Sequence, residues 1–338
     1  MNGATGRNLR FCINGWMRAA RYERTGPAGE VIEVTEVETP EPQAGEVRVR
    51  IAFSGVNPTD WKARSSGSVD GWQIPNQDGS GVIEAVGDGV DAARIGERVW
   101  VFFAARQRPW GTAAEYTIVP TEFAVPLPDN ASLELGASIG IPAMTAHRCL
   151  FADGRVEGKT VLVAGGAGAV GRCAIELARW AGAGRIVATV SNDAKAQIAR
   201  DAGADATVDY KAADAIEQLK AAAPGGVHRI VELSLGHNLA LDVAGAARHC
   251  AIVSYANEGP NPELEVRKLM TPNIVLRFVL VYTMPVDAIG EAVVHITDAL
   301  RDGALTEPPL HIFPLEETAA AHDAVEHGAV GKVLIEVG

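Results

Sequence analysis

The chain has 338 residues, 47% hydrophobic and 21% charged, long enough to fill two cores and ordinary for a water-soluble globular protein. Thirty basic against 42 acidic residues leave a net charge of −12, which argues against a surface built for nucleic acid. No run reaches the ~18 apolar residues of a membrane span. No signal-peptide pattern opens the chain, so a cytoplasmic protein is expected.

The first sixteen residues read as a disordered extension ahead of a start at Met17, where strand-like periodicity begins in MRAARY. To about residue 125, short runs alternate polar and apolar residues: EVRVRIAFSGV, GSGVIEAVGDGV, IGERVWVF and AAEYTIVP. Glycines end these runs, where tight turns call for positive φ. An all-β, barrel-like module is predicted. Asn130 or Ser132 is then placed to cap a short helix, and IPAMTAHRCLFADG reads as a second one. His147 in that segment is expected to pack within the helix or at an interface.

Strands and helices alternate beyond this point: TVLVAG, helix 169–182, RIVATV, helix 193–202, ATVDY, helix 213–222, HRIVEL, helix 238–247 and CAIVSY. Such alternation predicts right-handed βαβ units in a doubly wound parallel sheet, and so an α/β fold. The tail reads as an amphipathic helix (PVDAIGEAVVHITDALRDG), a strand and helix, and a last strand, GKVLIEVG. The four cysteines, Cys12, Cys149, Cys173 and Cys250, are far apart and form no C-x-x-C pair, as expected of buried free thiols.

Gly166, Gly168 and Gly171 form G-x-G-x-x-G between a strand and a helix, with a second strand completing the unit. In that setting the glycines permit a tight turn and close approach of backbone N–H groups to a pyrophosphate at the helix N-terminus. In NAD-binding units an acidic residue follows about 20 residues on, where it accepts from the adenosine ribose. Here Ser191 stands at that point, with Lys195 one helical turn further, a pair suited to a 2′-phosphate and therefore to NADPH. Asp193, the nearest carboxylate, reads as a helix N-cap turned towards backbone amides.

The ordered segments SGVNPTDW, PNQDGSGVIEAVG, GIPAMTAHRCL, VLVAGGAGAVG, GADATVDY and VGKVLIEV resemble the zinc-independent, zeta-crystallin-like quinone oxidoreductases of the medium-chain dehydrogenase/reductase superfamily. The resemblance implies a GroES-like β-barrel catalytic domain over 17–138, a Rossmann NADPH-binding domain over 139–285, and a C-terminal segment, 286–338, that completes the first. Superfamily members with catalytic zinc carry Cys where this chain has Asn57, and Gly-His-Glu where it has Asn76, Gln77 and Asp78. No metal is therefore expected.

By the same resemblance, the cofactor would meet Ala167, Ala169 and Val170 in the phosphate loop, and Lys195 and Tyr210 near the 2′-phosphate. Asn238, Tyr255, Ala256 and Asn257 would line it, and Val279, Leu280 and Val281 would meet the nicotinamide carboxamide. Asn57 and Lys62 match cleft positions near the nicotinamide, as candidates to polarise the acceptor oxygen, although many relatives have Tyr where Lys62 stands. Asp60 and Trp61 read as structural. The implied activity is NADPH-dependent reduction of a quinone or α,β-unsaturated carbonyl. A 2-enoyl thioester or haloacrylate-type C=C reductase is the rival within enzymes, and a crystallin-like or RNA-binding protein with little turnover is the rival outside them. A homodimer or homotetramer is implied as well.

Overall fold

The computed structural model describes residues 15–338. Most of the expected extension, including Cys12, lies outside that range, but strand pairing already begins at Trp16, which faces Glu38. In the first part of the chain the elements are β1 (Trp16–Arg21), the single turn α1 (Ala28–Val31), β2 (Glu33–Glu38), β3 (Glu46–Val56) and α2 (Pro58–Ser66). They continue with β4 (Asp78–Val86), β5 (Arg98–Val101), β6 (Tyr116–Pro120) and β7 (Ala124–Pro126).

The two helices expected after residue 130 are one, α3 (Leu133–Phe151), capped by Ser132, whose hydroxyl accepts from Leu135 N at 3.1 Å. It runs through Pro142 because it is buried along nearly its whole length and its packing outweighs the lost backbone hydrogen bond. His147 lies within it and meets His295 across to a later helix, ring nitrogens 2.9 Å apart.

The alternating region holds β8 (Thr160–Val163), α4 (Ala169–Trp180), β9 (Arg185–Val190), α5 (Asp193–Asp201), β10 (Ala206–Asp209), α6 (Ala215–Ala222) and β11 (Val227–Glu232). It ends with α7 (Leu235–Gly245), β12 (Ala246–Ser254), α8 (Val266–Met270) and β13 (Val275–Phe278). The strands form one parallel sheet in the order β10-β9-β8-β11-β12-β13, the Rossmann arrangement. Its strands are apolar on both faces because helices cover both: α3, α4 and α9 (Val286–Arg301) share a core on one side, and α6 and α7 on the other.

The last elements are β14 (Leu310–Pro314), α10 (Thr318–Glu326) and β15 (Lys332–Glu336). β15 pairs antiparallel with β3, so the chain's end joins the barrel sheet, ordered β14-β15-β3-β4-β5-β7 with β6 also on β3. Among the described residues no helix is long and apolar enough to cross a membrane.

Candidate active site

β8 and β11 are neighbours although β9 and β10 intervene in the chain, so the winding of the sheet reverses between them and leaves a crevice at their carboxyl ends. A groove of about 530 Å³ opens there. Gly165 forms its sharp turn with φ +66°, and a Cβ at that position would also overlap Leu233. The G-x-G-x-x-G pattern begins one residue later and misses this glycine. Gly166 and Gly171 instead let α4 close on the sheet: a Cβ on Gly166 would lie 2.6 Å from that of Ala188, and one on Gly171 would overlap the Gly165 carbonyl.

Ala167 and Gly168 form the groove wall. Gly168 is the N-cap of α4, with Ala169 and Val170 in the first turn, so the positive end of a 12-residue helix abuts the groove. Ser191, Lys195 and Tyr210 line one end. The cap of α5 is Asn192, whose side chain accepts from Lys195 N at 2.9 Å, and not Asp193, which is the first helical residue. The shift follows from chain geometry, since Asn192 alone has the extended backbone of a cap. Lys195 is half-buried and has no ion pair among the described residues.

The opposite wall comes from α7 and the loop after β12. α7 starts three residues before its expected start, at Leu235, so Asn238 sits near its N-terminus and lines the groove. Glu232 holds the Asn238 amide at 2.9 Å. Burial pushes Glu232 up, and burial together with the Glu232 charge pushes its neighbour Asp242 up.

Tyr255, Ala256, Asn257, Val279, Leu280 and Val281 are not in the groove wall. Asn257 ties its loop to α7 by accepting from Gly236 N at 3.0 Å. Val279 N donates to Ser254 O at 2.9 Å, and Leu280 is exposed while Val281 is buried. The loop's groove residue is Glu258, which was not among the expected site residues. Lys62, on α2, reaches across to Glu258, Nζ to Oε1 2.6 Å, and so stands at the groove's edge.

Asn57 caps the same helix, and Asp60 closes the first turn by accepting from Asn57 N at 2.7 Å and Gln77 N at 3.2 Å. The Asn57 side chain points inward: Nδ2 donates to Asp78 Oδ2 at 2.7 Å, and Oδ1 accepts from Lys332 Nζ at 2.7 Å. Lys332 Nζ is 3.7 Å from Asp78 Oδ2. β15, β3 and β4 are adjacent, with Val56 opposite Val333 and Gly55 opposite Asp78, so their ends bring the three side chains together. Gly55 leaves room for the lysine: a Cβ there would sit 3.2 Å from Nζ.

Asp78 also accepts from Ile141 N, at 2.8 and 2.9 Å. That donor is the residue before Pro142 in α3. Burial raises Asp78 to about 6 against the pull of Lys332, and raises Asp60 to about 8 with help from the Asp78 charge. Burial lowers Lys332. Neither Lys332 nor Asp78 emerged as a site residue from sequence except as a zinc-ligand position; a lone lysine opening the apolar GKVLIEV was the available signal for the first.

A GroES-like barrel and a Rossmann sheet flanking one groove define a nicotinamide-dependent dehydrogenase or reductase. Residues 43–129 match the alcohol dehydrogenase GroES-like domain, and residues 169–296 match the zinc-binding dehydrogenase family. The quinone oxidoreductase of Rattus norvegicus is 29% identical over 341 residues, covering 98% of this chain and 99% of that protein. An alcohol dehydrogenase of Schizosaccharomyces pombe is 30% identical over 263 residues, covering 69% and 73%.

Among solved structures, an NAD-dependent alcohol dehydrogenase superposes with TM-score 0.86 at 26% identity, covering 95% of this chain and 100% of that one. A mycobacterial quinone oxidoreductase gives 0.83 at 27%, covering 95% and 99%. A mycobacterial protein complexed with NADPH gives 0.81 at 26%, with the same coverage. The chain belongs to the medium-chain dehydrogenase/reductase superfamily, in its quinone oxidoreductase-like branch. It is an oxidoreductase that uses a nicotinamide cofactor.

Proposed function

We propose that this chain reduces quinones or α,β-unsaturated carbonyls with NADPH and without a catalytic metal. The observation that carries the reading is the Lys332 ammonium seated between Asn57 and Asp78, at two of the positions where the superfamily's zinc enzymes have ligands. A buried cation already neutralises Asp78, and the remaining donors include neither thiolate nor imidazole, so this donor set does not fit zinc.

The groove fits the dinucleotide. Gly165 and Gly168 keep it open for a pyrophosphate at the α4 N-terminus, and the unpaired Lys195 beside Ser191 suits a 2′-phosphate. When bound, the cofactor supplies the hydride. The chain's own residues then position the acceptor and exclude water. Lys332 and Asp78 fix the Asn57 amide and with it the start of the helix that carries Lys62 to the groove's edge. Lys62 neutralises Glu258, the carboxylate on the groove wall, which would otherwise repel an anionic cofactor. The proton that completes reduction comes from solvent.

The free edge of β13 suits a second copy of this chain. Phe278 is 72% exposed and Leu280 57% at the end of the six-stranded sheet, the arrangement of a two-fold dimer interface.

The test is oxidation of NADPH on addition of a quinone or enone. It should persist after exhaustive chelation, and NADH should serve poorly. Equal use of both nicotinamides, or activity abolished by chelation and restored by zinc, overturns the reading.

A further inference from the structure

Behind the groove wall, two carboxyl groups are buried without a cation. Glu232 ends β11 and Asp242 lies on α7, at 0% and 1% exposure, and neither forms an ion pair among the described residues. Each keeps a buried oxygen that no donor reaches, Glu232 Oε2 and Asp242 Oδ2, and the two side chains are within hydrogen-bonding reach of each other. Two acceptors bond only through a proton, and two buried charges so close do not both persist. The groups packed around the pair supply no counter-charge. Cys250 of β12 and Tyr255 beyond it are pushed up by burial and stay neutral. Arg229 of β11 donates instead to Cys149 O at 3.1 Å and Leu150 O at 2.6 Å, and His237 of α7 turns to Ser234 Oγ at 3.0 Å. On α6, Glu217 and Lys220 are exposed, while the apolar Leu219 meets α7 at Gly245.

The hydrogen bonds decide which carboxyl keeps the charge. Glu232 Oε1 accepts from Asn238 Nδ2 at 2.9 Å and from Ser234 N, whereas no N–H among the described residues donates to Asp242. The charge belongs on the carboxyl that collects donors, and the proton on the one that has none. Both of these donors come from residues that line the groove, Ser234 and Asn238. Asn238 and Asp242 stand one turn apart on α7 and so face the same strand end. A carboxylate oxygen only accepts, so the Asn238 amide turns its NH2 inward to Glu232 and leaves its carbonyl Oδ1 for the groove. That oxygen has no partner among the described residues.

We propose that Asp242 donates its carboxyl hydrogen to Glu232 and that the two are positioning residues for the cofactor, fixing the Asn238 carbonyl oxygen to accept from a hydrogen-bond donor of the bound nucleotide. This rests on the reading of the groove as the dinucleotide site. Neither carboxyl lines the groove, so both act through Asn238. Without the Asp242 hydroxyl, the buried Glu232 takes up the proton itself, and a neutral carboxyl accepts from Asn238 and Ser234 more weakly than a carboxylate does.

The experiment uses the full chain, with infrared spectroscopy at neutral pH and calorimetric titration of NADPH and of 2′-phospho-ADP-ribose, which lacks the nicotinamide. The wild type should show a carboxylic-acid carbonyl band that Asp242→Asn removes; Asp60, pushed up to about 8, adds to that band, so the difference between the two proteins is the readout. Asp242→Leu should raise the NADPH dissociation constant about tenfold, and Asp242→Asn, whose amide still donates to Glu232, should recover most of that loss. Asn238→Leu should lose as much, and the double variant no more than either alone, because Asp242 acts through Asn238. An equal loss for the fragment assigns the donor to a ribose hydroxyl, and a loss confined to NADPH assigns it to the carboxamide. A band unchanged by Asp242→Asn, a folded Asp242→Leu that binds NADPH like the wild type, or additive losses in the double variant overturns the proposal. A wild type that binds no NADPH refutes the dinucleotide reading of the groove and the positioning role with it, while the infrared band still decides where the proton sits.

Discussion

Lys332 Nζ donates to Asn57 Oδ1 at 2.7 Å, joining the last strand of the chain to the start of the helix that borders the cleft. The pair lies 275 residues apart in sequence and is sealed from water, with Lys332 at 1% and Asn57 at 2% exposure. Removing the ammonium leaves the Asp78 charge buried without its cation, which costs about 3–5 kcal/mol. Lys332→Met should show that loss in urea unfolding, and Lys332→Met combined with Asp78→Asn should recover part of it. A single variant as stable as the wild type would show that Asp78 is neutral in the fold.

Lys195→Ala should raise the dissociation constant for NADPH about tenfold, equivalent to ~1.4 kcal/mol, while that for NADH moves little. Fluorescence titration of both nicotinamides reads the difference. A parallel loss for both would assign Lys195 to the phosphates common to the two.

Gly165→Ala puts a side chain at φ +66° and against Leu233. The expected cost is roughly 1–3 kcal/mol of stability, together with weakened nucleotide binding. Gly225 has ordinary φ and open space at its Cβ, so Gly225→Ala is the control and should change neither.

His322 is buried, its Nε2 donating to Asn76 Oδ1 at 2.9 Å, and burial lowers its pKa to about 3. The unfolded chain therefore binds a proton near pH 6.5 that the folded chain refuses. Its contribution to stability is complete above pH 6.5 and is lost as the pH falls towards 3, by about 5 kcal/mol. His322→Gln should flatten that slope in unfolding measured from pH 7 to pH 4. An unchanged slope would place the acid sensitivity at His147, which burial also lowers to about 3.

Lys62 and Glu258 bridge the two sides of the cleft at 2.6 Å, but their side chains are 44% and 65% exposed. Such a pair is worth less than about 1 kcal/mol and is screened by salt. Lys62→Met should leave the melting temperature nearly unchanged yet weaken NADPH binding, because Glu258 then stands uncompensated on the groove wall. Glu258→Gln in the same background should restore binding.

The fold was legible because its signals are local. The strand–glycine–helix run around Gly166–Gly171 and the alternation from residue 160 to 254 depend on periodicity and turn chemistry within a few residues, and the sheet order followed. Ser191 and Lys195 could be placed at the groove for the same reason, a fixed distance beyond a strand end, while Tyr210 came from the family resemblance. The family resemblance also implied that Asn57 and Asp78 stand where zinc enzymes carry a thiolate and a carboxylate. It could not show what neutralises Asp78, because the answer depends on β15 pairing with β3 across the whole chain. The primary structure determined the elements and the nucleotide cradle; the tertiary structure decided which charges meet, because burial and strand adjacency set their partners.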